Sequence, residues 1–184
     1  SNVRPFLIRR MRDPDWAFVY ADRYNYIFVR NTAENKGLIE RFRITPENMS
    51  QRLRYLVESD DLDNILAFAD TAYLLGNTDL GIVTLIQIVE KWPTKHGVWM
   101  ILGEWEYWGD NPKSPLLAAM YLERAIELGE ESAEAYAYLG AVYAKAQRLE
   151  KAKEALQMAL AINPEREDAR ELLQKIEAFE SGRD

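Results

Sequence analysis

The sequence predicts a mainly α-helical chain. Its class is an α-α superhelix of about three helix pairs with a capping helix, preceded by a small α/β segment holding one β-hairpin. Three observations carry that prediction. Small and bulky residues return at a fixed interval: Ala118, Leu122 and Ala125 stand 34 positions before Ala152, Leu156 and Ala159. Apolar residues beyond about Leu62 recur three and four apart, which is the period of one helix face. A single stretch, residues 16–30, changes to a period of two and is rich in aromatic and β-branched residues.

The elements follow in order. Residues 3–12 form a short helix with Phe6, Leu7 and Met11 inward, ended by Asp13-Pro14. WAFVYAD (16–22) and YNYIFVR (24–30) are strands joined closely enough to be a hairpin. Thr32 caps a helix running to about residue 42. Thr45-Pro46-Glu47 starts another, whose inner face is Met49, Leu53, Leu56 and Val57. Two strands alone are marginal in water. Three solutions exist: the flanking helices cover the hairpin, it belongs to a larger sheet, or its open edge pairs with another chain.

The second half divides into helix pairs. In residues 133–166, Tyr136, Leu139, Gly140 and Tyr143 share one face of a first helix, and Ala152, Leu156 and Ala159 one face of a second; Pro164 closes the unit. Gly140 and Ala152 carry almost no side chain, so the helices approach closely there, and Tyr136, Tyr143 and Leu156 fill the space around that contact. Trp99, Leu102 and Gly103 match Tyr136, Leu139 and Gly140 at 37 residues. The unit at 96–132 therefore holds three extra residues between its helices, within GDNPKSP. At 62–95, Ile65, Phe68 and Ala69, then Gly81, Leu85 and Ile88, keep the register, and Pro93 closes it. In residues 167–180, Leu172, Leu173, Ile176 and Phe179 face back onto the last pair, and the other faces are charged, as a capping helix requires. This pattern resembles the tetratricopeptide repeat family over residues 62–180, with repeats at 62–95, 96–132 and 133–166 and a cap at 167–180. Residues 1–58 are the small α/β segment.

A second resemblance covers residues 5–40. Trp16, Val19, Tyr20 and Asp22, then Ile27, Phe28, Val29, Arg30, Thr32, Asn35, Leu38 and Ile39, are similar to the extracytoplasmic segment of bacterial polytopic, glycosyltransferase-like membrane proteins that end in tetratricopeptide repeats. That resemblance implies part of a larger protein on the extracytoplasmic, periplasmic side, with a cytoplasmic location as the alternative. It also implies an accessory domain that contacts glycan or lipid-linked substrate. Ser1-Asn2 fits a remnant of tag removal.

Composition narrows the function classes. No run of 18 apolar residues occurs, so no membrane span is expected. Cysteine is absent, which excludes disulfides and thiolate metal sites. Residues 1–58 hold 11 Lys/Arg against 7 Asp/Glu, whereas residues 59–184 hold 12 against 23. The repeat region is acidic, which argues against nucleic acid. The basic opening (Arg4, Arg9, Arg10, Arg12) is read as a solvated helix face in preference to a site for anionic lipid or an acidic partner.

No catalytic arrangement emerges. His96 is the only histidine and sits at a helix start, with no Ser or Asp fixed around it. Phosphate-binding glycine loops are absent. DDLDN (60–64) lacks the glycine and glutamate of a calcium loop and suits a helix N-terminus. Glu104 with Glu106, or Glu130 with Glu131, would be acid–base pairs only by proximity; on exposed helix faces they are solvated. The expectation is a non-catalytic scaffold without cofactor or metal.

In the family the resemblance points to, first helices line a concave groove. Carried over position by position, this gives Asp63, Leu66, Asp70, Tyr73 and Leu74 from the first repeat. The second supplies Met100, Glu104, Tyr107 and Trp108, and the third Glu134, Ala137, Ala141, Ala144 and Lys145. Trp99 and Trp92 are packing residues. Trp105 and Trp108 have no required core role, so either is a surface anchor or a cover for the insertion. A groove with Asp63, Asp70 and Glu104 favours a peptide or protein segment that is neutral to basic, with apolar anchors. Self-association through the hairpin edge is a further expectation.

Overall fold

The structure, a computed structural model, describes residues 4–108 and 114–182. The chain divides into two compact units, Ser1–Ile88 and Val89–Asp184.

The first unit opens with α1 (Arg4–Arg12) and the antiparallel hairpin β1 (Trp16–Ala21) and β2 (Tyr26–Arg30). Asp22 makes the turn: its Oδ1 accepts the backbone N–H groups of Tyr24 at 2.8 Å and Asn25 at 2.7 Å. Register runs Trp16 to Arg30, Ala17 to Val29 and Phe18 to Phe28, then slips between Phe18 and Tyr20. The bulge at Val19 brings Phe18 and Ala21 to one face, which strict alternation forbids; Ala17, before the bulge on the other face, is buried as well. Leu7 is buried as expected and Met11 packs on the core, but Phe6 is 58% exposed. Nine residues of helix turn one narrow face inward, and Phe6 lies off it.

A 3-10 turn (Ala33–Asn35) leads into α2 (Lys36–Phe42). Thr32 stands at the N-cap of that turn but its side chain makes no capping hydrogen bond. The next helix starts later than Pro46: α3 (Met49–Arg52) and α4 (Arg54–Glu58) follow a turn in which Asn48 Oδ1 accepts Thr45 N–H at 2.9 Å. Met49, Leu53 and Leu56 are buried inward, as their spacing requires. α5 (Leu62–Leu74) is capped by Asp61, whose side chain accepts Asn64 N–H at 3.1 Å. Helices cover the hairpin: Phe18 and Ala21 share a core with Ile44, Met49, Leu53, Leu56, Ala67, Phe68 and Ala72. Ile44 N–H donates to the Phe18 carbonyl at 2.8 Å, so the chain itself occupies part of the strand edge offered for pairing. α6 (Thr78–Lys91) carries the chain to the second unit.

The second unit is a succession of antiparallel helix pairs: α7 (His96–Trp108) with α8 (Pro115–Glu127), then α9 (Ala133–Lys145) with α10 (Leu149–Ile162), then α11 (Glu167–Ser181). Ser114 and Ser132 cap α8 and α9 by accepting Leu116 and Ala135 N–H groups, each at 3.2 Å. The three inserted residues between α7 and α8 lie largely outside the described residues. The close contacts fall where the glycines are. A Cβ on Gly103 would meet Leu122 Cγ at 2.5 Å, and one on Gly140 would meet Leu156 Cγ at 2.6 Å. One core runs through Ala118, Leu122, Leu139, Val142, Tyr143, Ala152, Leu156 and Ala159 to Ala169 and Ile176. Leu172 and Leu173 pack against it, whereas Phe179 is 47% exposed. Among the described residues, no helix is long and apolar enough to cross a membrane.

Candidate partner-binding face

The residues expected to line a groove fall in both units, and the structure treats the two sets differently. On α5, the hairpin has claimed the acids. Arg23 Nη1 lies 3.2 Å from Asp63 and 3.8 Å from Asp61, and the Tyr26 hydroxyl donates to Asp70 at 2.8 Å. Leu66 and Tyr73 are half-buried. Leu74 is 4% exposed and belongs to the core, so it offers no surface to a partner. The reason is local: Leu74 lies on the same turns as buried Thr71 and Ala67, at helical spacings that face inward.

On α7 and α9 the residues come together. Trp108 is 59% exposed and packs edge-on against Tyr107, with ring centroids 4.7 Å apart. Lys145 Nζ stands 4.8 Å from the centroid of the Tyr107 ring. Trp108, Tyr107 and Lys145 therefore form one aromatic and cationic cluster at the C-terminal ends of α7 and α9. Further along the same pair of helices, Glu104 and Glu134 flank Tyr138, whose hydroxyl donates to Glu134 at 3.1 Å. Burial raises the Tyr138 pKa well above its ordinary value, and the Glu104 and Glu134 charges push the same way; Arg166 opposes them. Met100 packs against the core beneath, and Ala137 is buried, so neither presents a large surface.

Trp105 differs from Trp108. It is 2% exposed and among the largest fully buried side chains, so it is a core residue. The two are three apart and lie on neighbouring sides of α7, so spacing alone does not separate them; Trp105 is turned into the core, whereas Trp108 is the last residue of the helix. Glu106 is also buried, at 2%, contrary to its expected exposure beside Glu104; its charge contributes to raising the Tyr121 pKa, after burial. Glu130 is not a solvated partner of Glu131: its Oε2 lies 2.7 Å from His96 Nδ1. His96 is the first residue of α7 and half-exposed, as the position of a helix start predicts. Trp99 is a packing residue, with its indole N–H donating to the Pro93 carbonyl at 2.9 Å and its ring 6.0 Å from Tyr121.

Sequence reasoning missed Tyr138 and Arg166. The available signal for Tyr138 was its spacing of four from Glu134, which places both on one helix face. Arg166 reaches the face from the turn before α11, and only the tertiary fold brings it there.

The comparisons agree with this architecture. Residues 113–176 match a family profile described as tetratricopeptide repeat. A search of curated protein sequences returns no match. The crystal structure of a MamA protein is similar, with a TM-score of 0.63 and 23% identity, covering 73% of this chain and 75% of that one. The first tetratricopeptide domain of Spaghetti (RPAP3), bound to the HSP90 peptide SRMEEVD, has a TM-score of 0.57 and 20% identity over 72% of this chain and 95% of that one. The first such domain of human RPAP3 has a TM-score of 0.55 and 20% identity over 74% and 95%. At these identities the likeness is one of fold. With the profile match, the repeat spacing and the paired helices in agreement, residues 113–176 carry the tetratricopeptide pattern, in a chain that opens with a β-hairpin segment.

Proposed function

We propose that this chain is a non-catalytic protein–protein interaction scaffold and that the α7/α9 face holds a segment of its partner. Three repeats, 62–95, 96–132 and 133–166, with a cap at 167–180, are the architecture assumed. The observation that carries the reading is Trp108. A 59% exposed indole braced edge-on by Tyr107 is a rigid apolar anchor with no role in the core. Exposed tryptophans of this kind dominate interface energetics. Glu104 and Glu134 add negative charge on the same two helices, and Lys145, at the aromatic end, already lies over Tyr107. The segment that fits is therefore neutral to basic, with an apolar side chain for Trp108 and a Lys or Arg for the carboxylates.

The Spaghetti (RPAP3) domain of similar fold holds a peptide, SRMEEVD, which is acidic. This chain should show the opposite preference. The experiment is a fluorescence titration with two peptides of matched apolar content, one carrying Lys and Arg and one carrying Asp and Glu. The basic peptide should bind at least about tenfold more tightly, and Trp108→Ala should remove most of that affinity. Equal affinities for the two peptides would remove the charge argument. Unchanged affinity in Trp108→Ala would remove the site.

A further inference from the structure

The opposite side of the same unit carries a feature that the α7/α9 reading leaves unused. Two adjacent cavities, of about 260 and 290 Å³, open between α8 and α10 over a floor that includes Tyr143 of α9. They share Glu123, Tyr143 and Lys151. The Tyr143 hydroxyl donates to Glu123, and Lys151 Nζ donates to the Tyr143 hydroxyl at 3.3 Å. This polar bridge divides one long depression into two apolar pockets. Around them, Leu116 and Met120 on α8 are 48% and 62% exposed, and Met158 and Ile162 on α10 are 47% and 46% exposed. Each pair is spaced by four, so each forms a continuous apolar ridge. Four large apolar side chains on neighbouring helices make a patch of the kind that marks an interaction surface.

We propose that this α8/α10 face is the interface of a two-fold dimer between copies of this chain. Charge order carries the choice of occupant. The shared Glu123 and Lys151 pair with each other at 3.8 Å, so the pockets differ in what lies beyond them: one sets Leu116 and Met120 beside Arg148, a basic end at the N-terminal ends of α8 and α10. The other sets Met158 beside Glu154, an acidic end. Neither Arg148 nor Glu154 has an ion-pair partner among the described residues, and both are exposed. A surface that is basic at one end, acidic at the other and apolar between is complementary to itself once rotated by half a turn. That rotation sets Arg148 of each copy opposite Glu154 of the other and lets the methionine ridges enter the facing pockets. Methionine suits such a contact because its flexible thioether fills irregular gaps. The face is roughly 20 Å long, from about 1.5 Å per residue, and two helices wide. That is smaller than the roughly 800 Å² per partner of a standard interface, so the dimer belongs to the weak, reversible class.

Analytical ultracentrifugation over a concentration series, from low micromolar upward, tests this. The expected result is a reversible monomer–dimer equilibrium. Met120→Glu with Met158→Glu should weaken it at least about tenfold. Arg148→Glu alone and Glu154→Arg alone should each weaken it, and the two together should restore it. All four side chains are exposed, and far-UV circular dichroism checks that each variant folds; the charge-swap pair decides the matter if the methionine variants unfold. A chain that stays monomeric throughout overturns the proposal. So does a dimer indifferent to the methionine changes, which would place the contact elsewhere, the hairpin edge included. Charge reversals that fail to restore each other overturn the two-fold arrangement. None of these variants touches Trp108, so the α7/α9 reading stands or falls separately.

Discussion

At the scale of single residues, the fold of the second unit turns on two glycines. Gly103 and Gly140 sit where a Cβ would collide with Leu122 and Leu156. Neither needs glycine's conformational freedom; both need its lack of a side chain. Gly140→Val should destabilise the protein by about 1–3 kcal/mol through overpacking. Leu156→Ala in the same chain should recover part of that loss, because it removes the atoms being struck. Urea unfolding of the double-mutant cycle checks it, and simple additivity would disprove the contact. The two tryptophans of α7 make a matched pair. Trp105→Ala should cost about 3–5 kcal/mol, the usual range for emptying an aromatic core site. Trp108→Ala should change stability by no more than about 0.5 kcal/mol, as exposed positions do. A similar loss at both sites would contradict their burial.

At the scale of elements, three helices end with the same hydrogen-bond pattern, and one of them does so under strain. Asn77 N–H donates to the Ala72 carbonyl at 2.8 Å, Glu130 N–H to Ala125 at 3.0 Å, and Arg148 N–H to Tyr143 at 2.9 Å. The residue before each donor is left-handed. It is Gly76 (φ 83°) and Gly129 (φ 104°) in the first two and Gln147 (φ 58°) in the third. A side chain there costs roughly 1 kcal/mol that glycine avoids. Gln147→Gly should therefore raise stability by about 0.5–1 kcal/mol, measured as a higher unfolding midpoint. The hairpin teaches the complementary lesson. Its strands were legible from composition, yet the burial of Ala21 together with Phe18 was not, because the bulge at Val19 breaks the alternation on which inward and outward faces are assigned. Its tip was also unreadable as a partner for α5: Arg23 reaches Asp63 across 40 positions and Tyr26 reaches Asp70 across 44.

At the scale of the whole molecule, pH should act through tyrosines as well as carboxylates. Burial pushes the Tyr55 hydroxyl from 10.0 up to about 12, and burial likewise raises Tyr138 and Tyr143 above 10.0. The folded state keeps these protons while the unfolded chain releases them near 10.0. Their contribution is intact below that pH and is lost as pH rises from there toward 12. On the acid side, the Tyr24 backbone N–H holds the Asp22 pKa below 3.8, and the Arg166 side chain does the same for Asp168. Their contribution is present above that value and fades as pH falls through the lowered one. Thermal midpoints taken across the pH range should fall on both flanks, with tyrosinate absorbance rising together with unfolding on the alkaline side. Tyrosines that ionise before any loss of structure would show that the hydroxyls are not held.

How much of this was legible divides by range. The sequence alone determined the helix pairs of the second unit, the glycine and alanine contacts within them, the helix that follows them and the existence of the hairpin. Each of these is a local pattern or a fixed-interval repeat, and local sterics decide it. Only the tertiary structure decided that Leu74, Trp105 and Glu106 are buried, that Trp108 is exposed, and that the hairpin engages the acids of α5. It also decided that Arg166 joins Glu104 and Glu134 around Tyr138. Those outcomes depend on which element lies against which, and a helix's periodicity names its faces without naming the neighbour that covers them.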